Sequence, residues 1–415
     1  MNNKRNLQEI ILCFICLILF VLSSEKVFPQ SDDVVELAES VPSETSLESS
    51  GLPRTSDVWL KMINEAKQSI DIETFYFAGQ QGEPLDTILA ALKAAAGRSV
   101  IIRIIVDSSF YSKNDKTVDE LSGISNIEIK KIPLGNLAGG VMHAKYFITD
   151  NLNVFTGSQN MDWRALKHIH EIGIKIKSRE LARTFTELFE TDWKLCDNNF
   201  YGLANTAANY YVNEENPAEV NSVRYGKVIC YPAFSPAKLN MQGLSSEEDE
   251  LIKIIGNTKE KLYIQMYSYS PKANNEKNYY DRIDLALRDA ASRKVDIRII
   301  FSDWSIREGA TEFIKSLSQV ENIKIKFSSV PEYSSGFIPY SRVEHCKYFI
   351  SDDNISWISS ANWEWSYFNN CRNVTLIIDN PEINKDLQGV FFRSWNSNFV
   401  NDVDINKEYK PVKRN

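Results

Sequence analysis

Two hydrophobic patterns alternate along the chain, and the order in which they occur is repeated. Apolar residues at helical spacing predict helices, and alternating or continuous apolar runs predict strands. In the first part these elements are a helix at 58–67, a strand at 69–77, a helix at 85–96, a strand at 99–107, a short helix near 118–121, a strand at 127–132 and a long helix at 180–195. The same order returns at 248–256, 261–269, 283–292, 294–303, 311–317, 323–327 and 382–396. Apolar strands separated by helices are typical of α/β sheets covered on both faces, so the sequence predicts two similar α/β halves.

The N-terminal segments lack this pattern. Lys4 and Arg5 precede an apolar run at 10–22, which is short for a bilayer span of about 20 residues. Residues 1–24 are therefore predicted to be a signal peptide or a type II membrane anchor, and either one places the rest of the chain in a secreted or lumenal compartment. Residues 25–52 are rich in Ser, Glu and Asp and are predicted to be a disordered linker.

The repeat also sets the domain boundaries. The first half is predicted at 53–205 and the second at 241–405. The connector between them, 206–240, shows no strong periodicity and is expected to be irregular. Residues 406–415 form a tail.

Composition restricts the partners and the chemistry. The chain has 415 residues, 43% of them hydrophobic, and its net charge of −8 argues against coating nucleic acid by bulk attraction. A local basic cleft stays open, because net charge does not report a local field. Four histidines and scattered cysteines give no convincing zinc site, and no metal or cofactor is expected. Two interpretations of the cysteines are open. Either Cys196 and Cys230 form a disulfide across the connector, or Cys196, Cys230, Cys346 and Cys371 are four free thiols.

A set of polar residues recurs at matched positions in the two halves. Every member of the set in the first half has its counterpart 202 residues later. The pairs are His143 and His345, Lys145 and Lys347, Asp150 and Asp352, Ser158 and Ser360, and Asn160 and Asn362. Because the chain has four histidines in all, the use of two of them at matched positions points to chemistry.

The duplicated set predicts two half-sites that face each other across one pocket. Such a pocket suits a phosphodiester, because one histidine attacks phosphorus while the other protonates the leaving oxygen. The lysines and asparagines are expected to bind the non-bridging oxygens, and the two serines either assist or pack near the turn. Strand alternation places His143 and Lys145 on one face and Asp150 off it, so both motif aspartates are predicted to be structural.

The motifs resemble those of a known family. HAKYFITD…GSQN and HCKYFISD…SSAN resemble the paired signatures of the phospholipase D superfamily, and GSQNMDWRALKHIHEIGI is similar to the branch of phospholipase D members 3 and 4. The resemblance implies two α-β-α sandwich halves with pseudo-twofold symmetry, one shared active site and a phosphohistidine intermediate formed without metal. The branch contains lumenal or secreted 5′ exonucleases of single-stranded nucleic acid. Little of the branch's cysteine framework is recognisable here, and Ser359 stands where the first half has Gly157.

One position differs between the halves in a way that affects the chemistry. Glu171 follows His143 by 28 residues, and the equivalent position after His345 is Asn373. The superfamily often has a carboxylate at this spacing, bonded to the motif imidazole. We therefore expect Glu171 to contact His143 and Asn373 to lie near His345, which makes His143 the nucleophile and His345 the general acid. The alternative is that Glu171 is a surface residue before a strand.

Three functions are compatible with the sequence. The leading one is a metal-independent phosphodiesterase that degrades single-stranded DNA or RNA from the 5′ end. The second keeps this chemistry on a phospholipid, by hydrolysis or head-group exchange, and the third is a non-catalytic, membrane-associated scaffold. The expected partner is single-stranded nucleic acid or phospholipid, with membrane anchorage through residues 10–24 and homodimerisation left open.

Overall fold

The computed structural model describes residues 33–49, 51–111, 115–197, 209–272 and 279–415. The predicted signal peptide or anchor at 1–24 lies outside these ranges. Within them, no helix combines the length and the apolar character needed to cross a bilayer.

The first half follows the predicted order of elements, with small shifts at the ends. Its strands are β1 (Val35–Ser40), β2 (Ser69–Thr74), β3 (Phe77–Ala78), β4 (Ile101–Asp107), β5 (Ile127–Ile132), β6 (Lys145–Thr149), β7 (Asn153–Gly157), β8 (Met161–Asp162) and β9 (Ile169–Lys177). Its α-helices are α1 (Thr55–Glu65), α2 (Pro84–Gly97), α3 (Ser108–Tyr111), α4 (Asp115–Ser122), α5 (Leu134–Ala138), α6 (Trp163–Lys167) and α7 (Arg179–Leu195), and a 3-10 turn lies at Ser46–Ser49.

The second half repeats this order. Its strands are β10 (Ala218–Ser222), β11 (Gly226–Ser235), β12 (Ser245–Ser246), β13 (Lys261–Met266), β14 (Tyr269–Ser270), β15 (Asp296–Ser302), β16 (Ile323–Ser328), β17 (Val343–Glu344), β18 (Lys347–Ser351), β19 (Ile355–Ser359), β20 (Trp363–Glu364), β21 (Asn373–Asp379) and β22 (Val400–Asp402). Its α-helices are α8 (Glu247–Asn257), α9 (Arg282–Ser292), α10 (Thr311–Ser318), α11 (Trp365–Asn369) and α12 (Pro381–Trp395), with 3-10 turns at Ala237–Leu239 and Asp303–Ser305.

Each half is built on one mixed sheet. The strand order is β1-β9-β7-β6-β2-β4-β5 in the first and β10-β11-β21-β19-β18-β13-β15-β16-β22 in the second. In both sheets, three parallel strands continue into antiparallel strands that carry the repeated motif; β2 pairs with β4 and β6, as β13 pairs with β15 and β18. The predicted duplicated α/β fold is confirmed.

One hydrophobic core joins the two halves. It contains buried side chains of α7, such as Phe185 and Leu188, together with side chains of α12, such as Leu387 and Phe391. Two further cores lie within single halves, one around Trp59 and Phe147 and the other around the corresponding second-half strands. The long closing helices of both halves therefore contribute to one shared layer.

The linker prediction for 25–52 is wrong for the part that the structure describes. Residues 35–40 form an edge strand that pairs antiparallel with β9 over its whole length, and Val35 and Leu37 are 1% exposed. The acidic residues that suggested disorder have partners in the fold, since Glu36 forms a 2.5 Å ion pair with Lys175 and Glu39 is fully buried. Every residue of this strand except Glu36 is buried, so the acidic residues here belong to a covered edge strand.

The connector prediction also needs correction. Residues 226–235 form a ten-residue strand, β11, which pairs with β21 from Ile229 opposite Asp379 to Ser235 opposite Asn373. The short strand β10 then covers its outer edge. Residues 218–222 and 226–235 of the connector are thus strands of the second sheet, and Val228 and Cys230 are buried on one face of β11.

Replacing Leu37 with Ala tests the contribution of β1 to the fold. Loss of a buried Leu side chain typically costs about 2–5 kcal/mol, and we expect a fall of that size in the free energy of unfolding measured by urea denaturation. Leu285→Ala is the matched control, because Leu285 is 56% exposed, and it should change stability by about 0.5 kcal/mol or less. Equal denaturation midpoints for Leu37→Ala and the unmodified protein would show that residues 35–40 do not stabilise the fold, as expected of a linker.

Candidate active site

Each repeated motif begins with a hydrogen bond to the other half. The backbone N–H of His143 donates to the carbonyl of Arg372 at 2.9 Å, and the N–H of His345 donates to the carbonyl of His170 at 2.9 Å. Short parallel pairings flank these bonds, with β17 alongside the start of β9 and Met142 alongside Arg372. The start of β9 is therefore placed against the second motif, and the residue before β21 against the first.

This exchange decides which residue contacts each imidazole. Glu171 Oε1 lies 2.5 Å from Nδ1 of His345, and Asn373 Oδ1 lies 3.0 Å from Nδ1 of His143. The expected contacts of Glu171 with His143 and of Asn373 with the neighbourhood of His345 are therefore wrong. The physical reason is that Glu171 and Asn373 directly follow the residues whose carbonyls bind the opposite motif.

The surroundings of Asn373 fix the tautomer of His143. The Nδ2 group of Asn373 donates to the carbonyls of Tyr367 at 2.8 Å and Cys371 at 3.4 Å, so Oδ1 is the atom that faces the imidazole. Because Oδ1 only accepts, Nδ1 of neutral His143 carries the proton and Nε2 has a free lone pair. Burial, followed by the charges of Lys145 and Lys347, holds the pKa of His143 well below its usual range.

His345 has a different partner and a different proton arrangement. Burial raises the pKa of the Glu171 carboxyl, while burial and the two motif lysines lower the pKa of His345. These directions favour a neutral pair that shares one proton in the short Oε1–Nδ1 contact. Whichever atom holds that proton, the other ring nitrogen of His345, Nε2, is protonated. The two imidazoles therefore offer a lone pair on one side and an N–H on the other.

The two lysines belong to one electrostatic site. Lys145 Nζ donates to the carbonyl of His143 at 2.6 Å, and Lys347 Nζ donates to the carbonyl of His345 at 2.9 Å. Both side chains are almost fully buried. Burial and then the charge of Lys347 lower the pKa of Lys145, and burial lowers the pKa of Lys347 to about 7. A bound anion would relieve this cost, so the pair is suited to hold a phosphoryl group.

The asparagines and serines of the motifs have different environments. Asn160 and Asn362 are buried, and the amide oxygen of each has no hydrogen-bond partner within the described structure. The Ser158 hydroxyl instead bonds to the backbone of Ile172, and the Ser360 hydroxyl donates to Asn373 Oδ1 at 3.1 Å. In these positions the serines orient the closing strands and the Asn373 amide.

The motif aspartates lie away from the imidazoles. The carboxylate of Asp150 accepts backbone N–H groups of the loop before β2, from Lys67, Gln68 and Ser69, at 2.7–3.1 Å. Asp352 accepts the N–H groups of the equivalent loop before β13 at 2.8–3.2 Å. These contacts give both aspartates a structural position, holding the loop that leads into a central strand.

A buried ionic cluster behind His345 was not found from the sequence. His170 Nδ1 lies 2.7 Å from Glu344 and Nε2 lies 2.8 Å from Glu39, all three being fully buried. Burial alone would lower the pKa of His170, but the two carboxylates outweigh it and raise the pKa to about 9. Arg393 also contacts Glu39. The available signal was position: Glu344 precedes the motif histidine, and His170 precedes Glu171.

The first half has an equivalent support of different chemistry. Arg372, at the position corresponding to His170, forms a two-point ion pair with Asp192 at 2.8 Å, and both side chains are fully buried. A cation bonded to buried carboxylate thus lies beside the strand end that binds each motif.

The described ranges contain four cysteines, and one of them belongs to a group of residues whose side chains can bind metals. Cys196, Cys230, Cys346 and Cys371 are all free, so the pairing of Cys196 with Cys230 does not occur. Within the described ranges, His170, Glu344 and Cys346 approach a metal-ligand grouping, with ligand atoms within 4.8 Å of one another. His170 and Glu344 are already hydrogen-bonded, and burial followed by Glu344 raises the pKa of the Cys346 thiol, so hydrogen bonding accounts for this group.

Aromatic rings flank both imidazoles. The ring of Phe75 lies 5.2 Å and that of Tyr367 4.9 Å from the ring of His143, and Tyr267 lies 4.7 Å from His345. Tyr269 is instead buried in the core and donates to Asp284, while the partly exposed Tyr76 donates to Asp162. The two imidazoles and the buried lysines beside them therefore have an aromatic border.

The chain is similar to known proteins over most of its length. A family profile described as "Cardiolipin synthase, PLD-like domain" matches residues 59–193 and 251–395. The "5'-3' exonuclease PLD3" of Xenopus laevis is 30% identical over 404 residues, covering 88% of this chain and 80% of that protein. "Phospholipase D Y" of Dictyostelium discoideum is 27% identical over 433 residues, covering 94% and 98%. The crystal structure of phosphatidylserine synthase from Haemophilus influenzae Rd KW20 superposes with a TM-score of 0.60 at 12% identity, covering 89% of this chain and 87% of that one, which is a likeness of fold.

Nuclear magnetic resonance of ¹⁵N-labelled histidines tests the buried cluster. Because the pKa of His170 is raised to about 9 from about 6.5 in an unfolded chain, its stabilising effect is complete below pH 6.5 and lost as pH rises through 9. We expect its ring to be protonated at pH 8, while His168, whose pKa burial lowers to about 4, is neutral at pH 6.

The ring resonance that is lost in the His170→Gln variant is the one that belongs to His170. The same variant is the reference for the measurement of stability against pH. The stability advantage of the unmodified protein over this variant should shrink from neutral pH to pH 10. A His170 signal that titrates near pH 6.5 would contradict the ionic assignment.

Proposed function

We propose, from the premise that this chain belongs to the phospholipase D superfamily and hydrolyses phosphodiesters, that it degrades single-stranded nucleic acid from the 5′ end through a phosphohistidine. One observation carries the mechanism: two imidazoles at one lysine-lined site have different Nδ1 partners, an amide for His143 and a carboxyl group for His345.

In the first step His143 is the nucleophile. Its Nε2 lone pair attacks phosphorus, a P–N bond forms, and the bond from phosphorus to the leaving oxygen breaks. The proton on Nε2 of His345 passes to that oxygen, and Glu171 compensates through the proton it shares with Nδ1. His143 stays the proposed nucleophile and His345 the proposed general acid, as predicted from the sequence. The reason differs, because the Glu171 carboxyl group assists the acid, His345, and not the nucleophile.

In the second step the same groups act in reverse. His345 Nε2 takes a proton from water, the water oxygen attacks phosphorus, and the P–N bond breaks to return the lone pair to His143. The charge that develops on the non-bridging oxygens is met by Lys145 and Lys347 and by the amides of Asn160 and Asn362. Removing one donor of this kind typically costs about 2.7–4 kcal/mol of transition-state stabilisation.

Two observations support nucleic acid as the substrate. The rings of Phe75 and Tyr267 border the two imidazoles, and aromatic faces bind bases without sequence preference. A relative named as an exonuclease is 30% identical across most of this chain. Phospholipid remains the second candidate because another relative, named as a phospholipase D, matches 94% of the chain. The non-catalytic alternative is not retained, since the chain is a hydrolase of this superfamily with every motif residue present.

Burst kinetics test the roles of the two histidines. With bis(p-nitrophenyl) phosphate, whose leaving group departs without a proton, His345→Ala should release about one equivalent of p-nitrophenol and then stall, because the intermediate on His143 lacks its general base. His143→Ala should give no burst. Stopped-flow absorbance and mass spectrometry of the labelled peptide provide the measurements.

Glu171→Gln separates acid catalysis from nucleophilic attack. It should slow the cleavage of an oligonucleotide, which has an alkoxide leaving group, by roughly 10²-fold or more, and slow the first-turnover burst of p-nitrophenol much less. A burst in His143→Ala that is missing in His345→Ala would reverse the assignment, and full activity in both would exclude this site.

Substrate class and metal independence are tested together. The site offers imidazole, ammonium and amide groups and one carboxyl group, Glu171, which is already bonded to His345, so purified protein should shorten a 5′-hydroxyl oligonucleotide in excess EDTA at the same rate as in its absence. In parallel, vesicles of phosphatidylcholine should release little choline. Release of choline without oligonucleotide cleavage would move the assignment to phospholipid, and activity that saturates with added divalent ion would contradict the metal-free mechanism.

A further inference from the structure

The loop before the second motif breaks the symmetry of the two halves. In the first half, the segment before the motif, residues 133–142, is short and closely packed. A Cβ atom added at Gly140 would lie 2.4 Å from the carbonyl oxygen of Asn370. The second-half loop, 329–342, is longer and exposes Phe337 by 39% and Tyr340 by 53%. One side of the site is thus closed by packing, and the other carries exposed rings.

The exposed loop is held in a strained conformation. Tyr340 has a φ of 56° and Arg342 a φ of 54°, in the left-handed region that side chains of this size rarely adopt. The Tyr340 N–H donates to the carbonyl of Arg414 at 2.8 Å, and the Arg342 guanidinium donates to the carbonyls of Pro331 and Ser43 at 2.7 Å each. Strain of this kind persists where surrounding contacts enforce it, typically at binding sites.

A series of rings connects this loop to the catalytic centre. The ring of Tyr267 lies 4.7 Å from that of His345, the ring of Trp304 lies 6.0 Å from Tyr267, and the ring of Tyr340 lies 6.5 Å from Trp304. Trp304 is partly exposed and Tyr340 is more than half exposed. The series therefore runs from the buried reaction centre out to solvent.

Cations accompany the rings. Lys347 lies 4.8 Å from the ring centre of Tyr267, and the guanidinium of Arg414 lies 4.9 Å from that of Trp304. Lys413 of the C-terminal segment lies 4.4 Å from the ring of Phe337, which is on the same loop as Tyr340. Aromatic faces interleaved with positive charge are the combination that binds single-stranded nucleic acid.

We propose that Tyr267, Trp304 and Tyr340, together with Arg414 of the C-terminal segment, form a track that binds the bases and phosphates adjoining the scissile phosphodiester. The track rests on the proposed action on nucleic acid and assigns it a direction, because the substrate strand leaves the centre on the second-half side. The C-terminal segment is then part of the substrate site, since Arg414 both contacts Trp304 and fixes the backbone of Tyr340.

The test measures how the effect of Tyr340→Ala depends on substrate length. KM for a single-stranded oligothymidylate of about ten nucleotides should rise roughly tenfold, and the rise should diminish as the oligonucleotide is shortened to a dinucleotide. Tyr340→Phe keeps the ring and should restore the unmodified KM, whereas Tyr340→Leu should not. Tyr279→Ala, which removes a 69% exposed tyrosine elsewhere, is the matched control and should leave KM unchanged. Binding of a fluorescent oligonucleotide in a His143→Ala background, followed by anisotropy, should weaken in parallel.

The outcomes separate this proposal from the one on which it rests. Unmodified protein that hydrolyses bis(p-nitrophenyl) phosphate but no oligonucleotide would overturn the substrate proposal, and the track with it. Unmodified protein that cleaves oligonucleotides while Tyr340→Ala keeps the same KM at every length would overturn the track alone. Equal losses in Tyr340→Phe and Tyr340→Ala, or a fall in kcat of the same size for every substrate, would also overturn it.

Discussion

Two backbone hydrogen bonds between the halves determine the active site. His143 donates to the carbonyl of Arg372, and His345 donates to the carbonyl of His170, each at 2.9 Å. Because the next residue along each closing strand is Asn373 or Glu171, every motif imidazole receives its Nδ1 partner from the opposite half. Neither half alone contains a complete catalytic group, so the chemistry depends on assembly of both halves around their common core.

The asymmetry of the site arises from substitutions at equivalent positions of a symmetric frame. An amide partner leaves His143 with a lone pair on Nε2, while a carboxyl partner leaves His345 with an N–H there, which are the two states that attack and protonation require. The supports behind the imidazoles differ in the same way, with Arg372 bonded to Asp192 in one position and a protonated His170 between two glutamates in the other. The difference between Asn373 and Glu171 is the one that reaches the imidazoles directly.

The sequence predicted the fold and the members of the site better than it predicted their contacts. Periodicity located the central strands, because their apolar character is continuous, and the 202-residue offset identified the matched histidines, lysines and asparagines. It failed for 35–40 and 226–235, where short-range alternation is masked by acidic residues and by Pro232, and only pairing with β9 and β21 reveals a strand. It also failed for Glu171, since an offset along the chain identifies equivalent positions but does not say which half each position faces.

The net charge of −8 coexists with a site lined by two lysines because the acidic groups near it are already bonded. Asp192 is paired with Arg372, Glu39 and Glu344 share His170, and Glu171 shares a proton with His345. The charge left without a bonded carboxylate is that of the two buried lysines, Lys145 and Lys347. Burial lowers their pKa values, and a bound anion would raise them. The local potential at phosphorus is therefore set by which carboxylates are neutralised within the fold, a property that total charge does not report.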